Sequence, residues 1–179
     1  IVVAGAERLD PAVREAFKLK FSQDIYEGYG ATETAPVASV NLPDALDVSY
    51  LQVQRGGKLG TVGMPLPGTG FKIVDPQTFA ELPTGEAGMV LIGGPQLMQG
   101  YLNDPERTAK AIREIDGERW YVTGDQGRLD EDGFLTIVDR YSRFAKIGGE
   151  MVSLGAVEQA LARAVADPEI ELQAVNLPD

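Results

Sequence analysis

The chain opens on a short continuous apolar run, Ile1-Val2-Val3-Ala4-Gly5, the pattern of a buried strand. Asp10-Pro11 then reads as a helix start, a cap residue followed by Pro at the first helical position. Val13, Ala16, Phe17 and Phe21 fall on one apolar face of that helix. Ile25-Tyr26 leads as a strand into a Gly-rich turn, and Val37-Ala38-Ser39-Val40 leaves it as another. This is an α/β pattern with a loop at a strand end, where such sheets bind ligands. Residues 42–58 are polar and weakly periodic, end at Gly56-Gly57, and predict a surface loop.

The pattern changes over residues 59–141. Short strand-like runs at Phe71–Val74, Met89–Ile92, Trp120–Val122 and Phe134–Val138 alternate with turns. The turns are Pro65-Leu66-Pro67-Gly68, Leu82-Pro83-Thr84-Gly85 and Glu131-Asp132-Gly133. One helix interrupts, capped by Asp104, with Thr108, Ala111, Ile112 and Ile115 on one face. The expected structure is a distorted β-barrel or sandwich. Residues 142–179 change again: a hairpin around Gly148-Gly149, a helix capped by Ser153, and a final strand at Leu172–Val175. Val157, Ala160, Leu161, Ala164 and Val165 form the helix's expected buried stripe. The predicted organisation is therefore the end of an α/β unit (1–58), a β-barrel-like unit (59–141) and the start of a small α+β domain (142–179). Ile1 opens a strand already under way and Asp179 follows another, so the chain is read as part of a longer protein.

Composition narrows the chemistry. An apolar fraction of 44% is that of a globular protein, and no run is long enough to span a bilayer. The chain has no Cys and no His, which excludes disulfides, thiolate nucleophiles and imidazole bases. Carboxylates, Lys, Arg, backbone amides and a bound cation remain, and that set suits reactions at phosphorus. A net charge of −11 argues against nucleic acid and against broad attraction to anionic lipid. Arg140, Arg143 and Lys146 nevertheless cluster; on pattern alone they equally suit a solvated strand face.

Glu27-Gly28-Tyr29-Gly30-Ala31-Thr32-Glu33-Thr34 carries the densest chemistry. Glycine admits close approach to a phosphate, an aromatic ring can stack on a base, and a carboxylate can hold Mg²⁺. Alone, the run also suits a tight turn between two strands. Gly5-Ala6-Glu7 follows the first strand and can line a base pocket. Gly85-Glu86-Ala87-Gly88 through Gly100-Tyr101 is a turn, a strand and a Gly-rich loop. Tyr121-Val122-Thr123-Gly124-Asp125 sets a carboxylate just past a strand, and Asp139-Arg140 adds a cation.

In that order, these segments resemble the adenylate-forming, or AMP-binding, superfamily of acyl-CoA synthetases, luciferases and peptide-synthetase adenylation domains. The resemblance covers essentially the whole chain. It implies the end of the large α/β domain, with its barrel-like part, and the start of the small domain. It also implies an ATP and Mg²⁺ site in which Gly5, Ala6 and Glu7 line the base pocket, Tyr29 stacks on adenine and Gly30 belongs to the nucleotide-binding set. Thr32 then binds the α-phosphate, Glu33 holds the metal, Asp125 bonds the ribose hydroxyls and Arg140 contacts the nucleotide. Ser142 takes the position of the hinge, where the family usually has Asp or Lys.

Arg143-Phe144-Ala145-Lys146-Ile147-Gly148-Gly149-Glu150-Met151-Val152-Ser153-Leu154, together with Val3-Ala4-Gly5-Ala6-Glu7 and Glu27-Gly28-Tyr29-Gly30, resembles more narrowly the synthetase part of the bifunctional 2-acylglycerophosphoethanolamine acyltransferase/acyl-acyl carrier protein synthetases. That resemblance implies a fatty acid substrate and the phosphopantetheine of acyl carrier protein as acceptor. It also implies lysophospholipid re-acylation at the cytoplasmic side of a bacterial inner membrane. Arg143, Lys146, Gly148 and Gly149 then lie on the thiol and carrier side. A fatty acyl-CoA synthetase and a non-catalytic nucleotide-binding module are the alternatives. The superfamily's phosphate loop is expected before Ile1 and its catalytic lysine beyond Asp179, so this chain alone is expected to be inactive.

Overall fold

The computed structural model describes residues 1–147, 150–165, 170 and 172–175, with backbone only at Lys146, Glu150 and Met151. Strand β1 (Val2–Ala4) pairs in parallel with β2 (Ile25–Tyr29), joined by helix α1 (Pro11–Phe21). The helix starts where the sequence predicts. Asp10 accepts from the amides of Ala12 (2.7 Å) and Val13 (3.3 Å), and Pro11 occupies the first turn. The Arg14 guanidinium pairs with Glu27 on β2 and fastens helix to strand. The run at the N-terminus is less buried than its pattern predicts, with Ile1 and Val3 exposed, and the apolar face of α1 also leaves Val13 and Phe21 exposed.

Strands β3 (Ser39–Val40) and β6 (Met64–Pro65) extend this sheet in the order β1-β2-β3-β6. Between them lies a hairpin where a plain loop is expected: β4 (Ala45–Asp47) and β5 (Gln52–Gln54). The Asp47 carboxylate starts its turn by accepting from the amides of Ser49 and Tyr50. The buried Asn41 side chain anchors the base of this segment to Glu27, Lys58 and Thr61.

The second sheet is antiparallel and curls as a half-barrel. Its order is β11 (Leu135–Arg140), β10 (Glu118–Leu129), β8 (Gly88–Gly93) and β7 (Gly70–Val74), with β9 (Ile112–Ile115) also paired to β10. Strand β8 is buried throughout and feeds both faces by alternation. Val90 and Ile92 join Ile73, Leu135 and Ala38; Met89 and Leu91 join Val74 and Trp120.

Helix α2 (Pro105–Ala111) stops short of the predicted Ile115. Residues Ile112–Ile115 instead pair with β10 across the turn Asp116-Gly117, where both residues take positive φ (54° and 79°). An Asp-Gly pair flanked by strand residues favours such a hairpin, and its β-branched isoleucines suit a strand better than a helix. After β11 a short 3₁₀ turn, Tyr141–Arg143, leads to the antiparallel hairpin β12 (Phe144–Ile147) and β13 (Glu150–Ser153), then to α3 (Leu154–Val165). Ser153 caps α3 by accepting from the Ala156 amide at 3.0 Å. The stripe of α3 is not buried: Val157, Leu161 and Val165 remain exposed. Leu172–Val175 forms no strand; the Ala174 amide donates to the Glu158 carboxylate on α3 instead (2.8 Å).

Candidate functional site

The parallel strands β1 and β2 end side by side, so the loops that follow them are neighbours. Gly5 lies against Gly28, and Ala6 takes a left-handed φ of 73°. Gly30 is fixed by space: a Cβ there would lie 2.0 Å from the Pro36 carbonyl. The chain turns through a 3₁₀ turn, Thr32–Thr34, that presents Thr32 to solvent. Thr34 is fully buried and ties the turn together. It accepts from the Ala31 amide (3.0 Å) and donates to the Ala31 carbonyl (2.9 Å).

Glu33 is gripped at two points by the loop before α2. The Met98 amide donates to its backbone carbonyl at 2.9 Å, and the Tyr101 hydroxyl donates to Oε1 at 2.5 Å. That hydroxyl holds the Glu33 carboxyl below the usual carboxylate range. In return the Glu33 carboxylate, with burial, pushes the Tyr101 phenol up. The Arg107 guanidinium stacks on the Tyr101 ring, 3.9 Å from its centre. Among the described residues Glu33 makes no salt bridge.

The second carboxylate comes from β10. Asp125 lies within that strand rather than just past one, beside a break in the β8–β10 register between Val122 and Gln126. Arg140 is its direct cross-strand partner, with Nε 3.3 Å from Oδ1. The Tyr29 hydroxyl donates to Oδ2 at 2.5 Å. Burial and then the Asp125 charge push the Tyr29 phenol far up, so it stays a donor. Tyr29 is therefore half-buried against the core, with its hydroxyl on Asp125. Thr123 completes the arrangement: its hydroxyl donates to the Val90 carbonyl (2.8 Å) and accepts from the Asp125 amide (3.0 Å). Tyr121, on the same strand, packs against the core. Burial, then the charge of Glu33, and more weakly that of Asp125, push its phenol up.

One edge thus gathers Tyr29, Gly30, Thr32, Glu33, Asp125 and Arg140. Tyr101, Tyr121 and Thr123 lie in segments that the sequence singles out but receive no role there, and Arg107 is missed altogether. Tyr121, Thr123 and Asp125 follow i, i+2, i+4 spacing, but the register break between Val122 and Gln126 and the positive φ of Gly124 (77°) interrupt the alternation across them. A single half-buried carboxylate suits Mg²⁺, which is usually held by one or two carboxylates together with substrate phosphates. Among the described residues no cluster of three or more acidic side chains competes with it.

Ser142 lies exposed in the 3₁₀ turn after Arg140. Arg143 is paired with Glu158 at 2.5 Å rather than left unpaired. The Lys146 side chain, Gly148 and Gly149 lie outside the described residues.

Known proteins share this fold and sequence. A 4-coumarate–CoA ligase of Pinus taeda is 37% identical over 176 residues, 98% of this chain and 30% of that protein. The ATP-bound structure of MatB from Rhodopseudomonas palustris superposes with a TM-score of 0.73 at 31% identity, covering 89% of this chain and 29% of the other. A long-chain-fatty-acid–CoA ligase from Archaeoglobus fulgidus gives 0.62 at 26% identity, covering 92% and 30%. The chain spans about a third of the length of the curated relatives it matches. The family model described as AMP-binding enzyme matches residues 1–102, which include both glycine loops, Glu33 and Tyr101; on that match the chain belongs to the AMP-binding enzyme family.

Proposed function

We propose that this chain supplies one wall of the nucleotide site of an ATP-dependent acid–thiol ligase. The observation that carries the reading is the pair of carboxylates, Glu33 and Asp125, each hydrogen-bonded by a tyrosine at the edge where the β1 and β2 loops end. In this reading the Tyr29 ring lies against adenine, with the Gly5-Ala6-Glu7 backbone and Gly30 shaping the base pocket. Asp125 accepts from the ribose hydroxyls, adding bonds to lone pairs that Tyr29 and Arg140 leave open. Arg140 is two-thirds exposed and can swing onto the nucleotide. The Thr32 hydroxyl donates to the α-phosphate, and Glu33 holds Mg²⁺, which when bound screens the phosphate charge.

The reaction has two steps. A substrate carboxylate attacks the α-phosphorus of ATP, forming acyl-adenylate and releasing pyrophosphate. A thiol then attacks the acyl carbon, forming a thioester and releasing AMP. The first step joins two anions, so donors at Thr32 and Arg140, with the cation that Glu33 would hold, would offset charge in the transition state. Ser142 is the pivot between the two steps. We assign CoA as the acceptor, because relatives along nearly the whole chain are CoA ligases.

A second reading rests on the Arg143–Ser153 string: a fatty acid is activated and loaded onto acyl carrier protein for lysophospholipid re-acylation at the bacterial inner membrane. Arg143 and Lys146 would face the acidic carrier, with Gly148 and Gly149 beside its pantetheine arm. The Arg143–Glu158 pair already offsets one of those charges, which weakens this reading. No described helix is long and apolar enough to cross a membrane.

The test supplies the full-length protein with ATP, Mg²⁺ and a panel of fatty and hydroxycinnamic acids, then with CoA or holo acyl carrier protein. Acid-dependent pyrophosphate release followed by an acyl-CoA product is expected. Loading of the carrier protein alone moves the assignment to the second reading. Failure of every acid to release pyrophosphate refutes the ligase.

A further inference from the structure

The Glu33 carboxylate sits on a short 3₁₀ turn, a setting that by itself leaves its side-chain torsions free. Another part of the chain removes that freedom. The loop at residues 98–101 takes both the Glu33 backbone, through the Met98 amide, and its carboxylate, through the Tyr101 hydroxyl. The loop is itself tied down. The Arg119 guanidinium donates to the carbonyls of Met98 (3.2 Å) and Gln99 (3.0 Å). The Tyr101 amide donates to the Thr108 hydroxyl (2.8 Å), which in turn donates to the Asp104 carbonyl (2.8 Å) in the first turn of α2. The same turn places Arg107 on the Tyr101 ring. Its register is set in part by the Asp104 carboxylate, which accepts from the Arg107 amide at 2.9 Å. Helix α2 thus holds a phenol against a carboxylate 68 residues earlier in the chain.

We propose that Tyr101, backed by Arg107, is the positioning residue of Glu33: its hydroxyl holds Oε1 and leaves Oε2 oriented for the divalent cation that accompanies the nucleotide. This rests on the reading of Glu33 as the metal carboxylate. A side chain that orients a metal-binding carboxylate raises affinity because its rotamer is set before the metal arrives. A purely structural tyrosine would hold the loop without affecting the cation.

The experiment measures Mn²⁺ binding to the full-length protein in the presence of a non-hydrolysable ATP analogue, by electron paramagnetic resonance. Tyr101→Phe keeps the ring and the Arg107 stack and loses only the hydroxyl. It is expected to weaken Mn²⁺ about 10-fold or more, as loss of an outer partner of a metal ligand does. The Mg²⁺ concentration for half-maximal adenylation should rise with it, while the rate at saturating Mg²⁺ falls less. Arg107→Met tests the backing independently and should shift Mn²⁺ affinity in the same direction by a smaller factor. Tyr50→Phe, on the exposed hairpin, should change nothing. Glu33→Gln is the reference. If it loses Mn²⁺ affinity while Tyr101→Phe and Arg107→Met bind as the parent does, the inference is overturned and the Glu33 assignment stands. If Glu33→Gln itself binds Mn²⁺ normally, the assignment falls and the inference with it. A Tyr101→Phe protein that is less stable yet binds Mn²⁺ normally marks Tyr101 as structural and also overturns the inference.

Discussion

Tyr29→Phe separates two jobs assigned to one side chain. It keeps the ring that lies against the core and the proposed base, and it deletes the hydroxyl on Asp125. Asp125 is 8% exposed, so water does not readily replace the lost donor. Its remaining side-chain partner is Arg140, at 3.3 Å and with a side chain 67% exposed. An ion pair of that exposure contributes about 0–1 kcal/mol. The Tyr29 bond is shorter and part-buried, and a hydrogen bond to a charged group is worth about 1.5–3 kcal/mol. Tyr29 is therefore the dominant side-chain partner of Asp125. Hydrogen exchange at the β10 amides around Asp125 reads the local opening free energy. Combined with Asp125→Ala, which removes the acceptor, in a double-mutant cycle, it isolates the pair. The expected coupling is about 1.5–3 kcal/mol, and a coupling below about 0.5 kcal/mol, the level seen for independent sites, would refute the reasoning.

Gly30→Ala forces a Cβ to within 2.0 Å of the Pro36 carbonyl, which is backbone and cannot swing aside. It should lower stability by about 1–3 kcal/mol or more and loosen exchange protection at the Ala38 amide, which bonds the Tyr29 carbonyl. Arg14→Met leaves Glu27, 9% exposed, with the 3.2 Å bond from the Leu9 amide as its remaining side-chain partner. In chemical denaturation the expected loss is up to about 3 kcal/mol, the low end for breaking a buried pair, because Arg14 keeps some exposure. Amides of Thr78 and Gln77 and the Thr78 hydroxyl hold Asp75 below the usual carboxylate range, the Thr78 amide most strongly. A depressed folded-state pKa stabilises above the unfolded value, and that stability is lost as pH falls through the folded one. Asp75→Asn should therefore destabilise near neutrality and flatten the acid side of the stability–pH profile; an unchanged profile counts against it.

What the sequence made legible follows from how local each signal is. Asp10-Pro11 and Asp104-Pro105 mark helix starts correctly because capping depends on neighbours in the chain. The apolar runs 71–74 and 89–92 mark strands because alternation puts their side chains on both faces of a buried sheet. The end of α2 was not legible from apolar spacing, since Ile112 and Ile115 suit a helix face as well as a strand. The Asp116-Gly117 turn decides between them by pairing Ile112–Ile115 with β10. The exposed faces of α1 and α3 show the opposite limit: amphipathic spacing predicts a face that seeks cover, not which element supplies it. In the site, Tyr29, Glu33 and Asp125 stand out because their motifs are short and dense. Tyr101 falls in a Gly-rich segment the sequence marks, but its role does not stand out, because it lies in a contact with a residue 68 positions away. The parallel pairing of β1 and β2 and the β10–β11 register bring the distant segments together.

The most direct test of the two-carboxylate account is ATP–pyrophosphate exchange by the full-length protein, driven by an acid that the panel identifies, with Asp125→Ala and Glu33→Ala side by side. Asp125→Ala should raise the KM for ATP more than it lowers turnover. Glu33→Ala should lower turnover at limiting Mg²⁺ by an amount equivalent to about 2–4 kcal/mol of transition-state stabilisation. Parent-like exchange in both variants would contradict the account, because neither carboxylate would then face the reacting nucleotide.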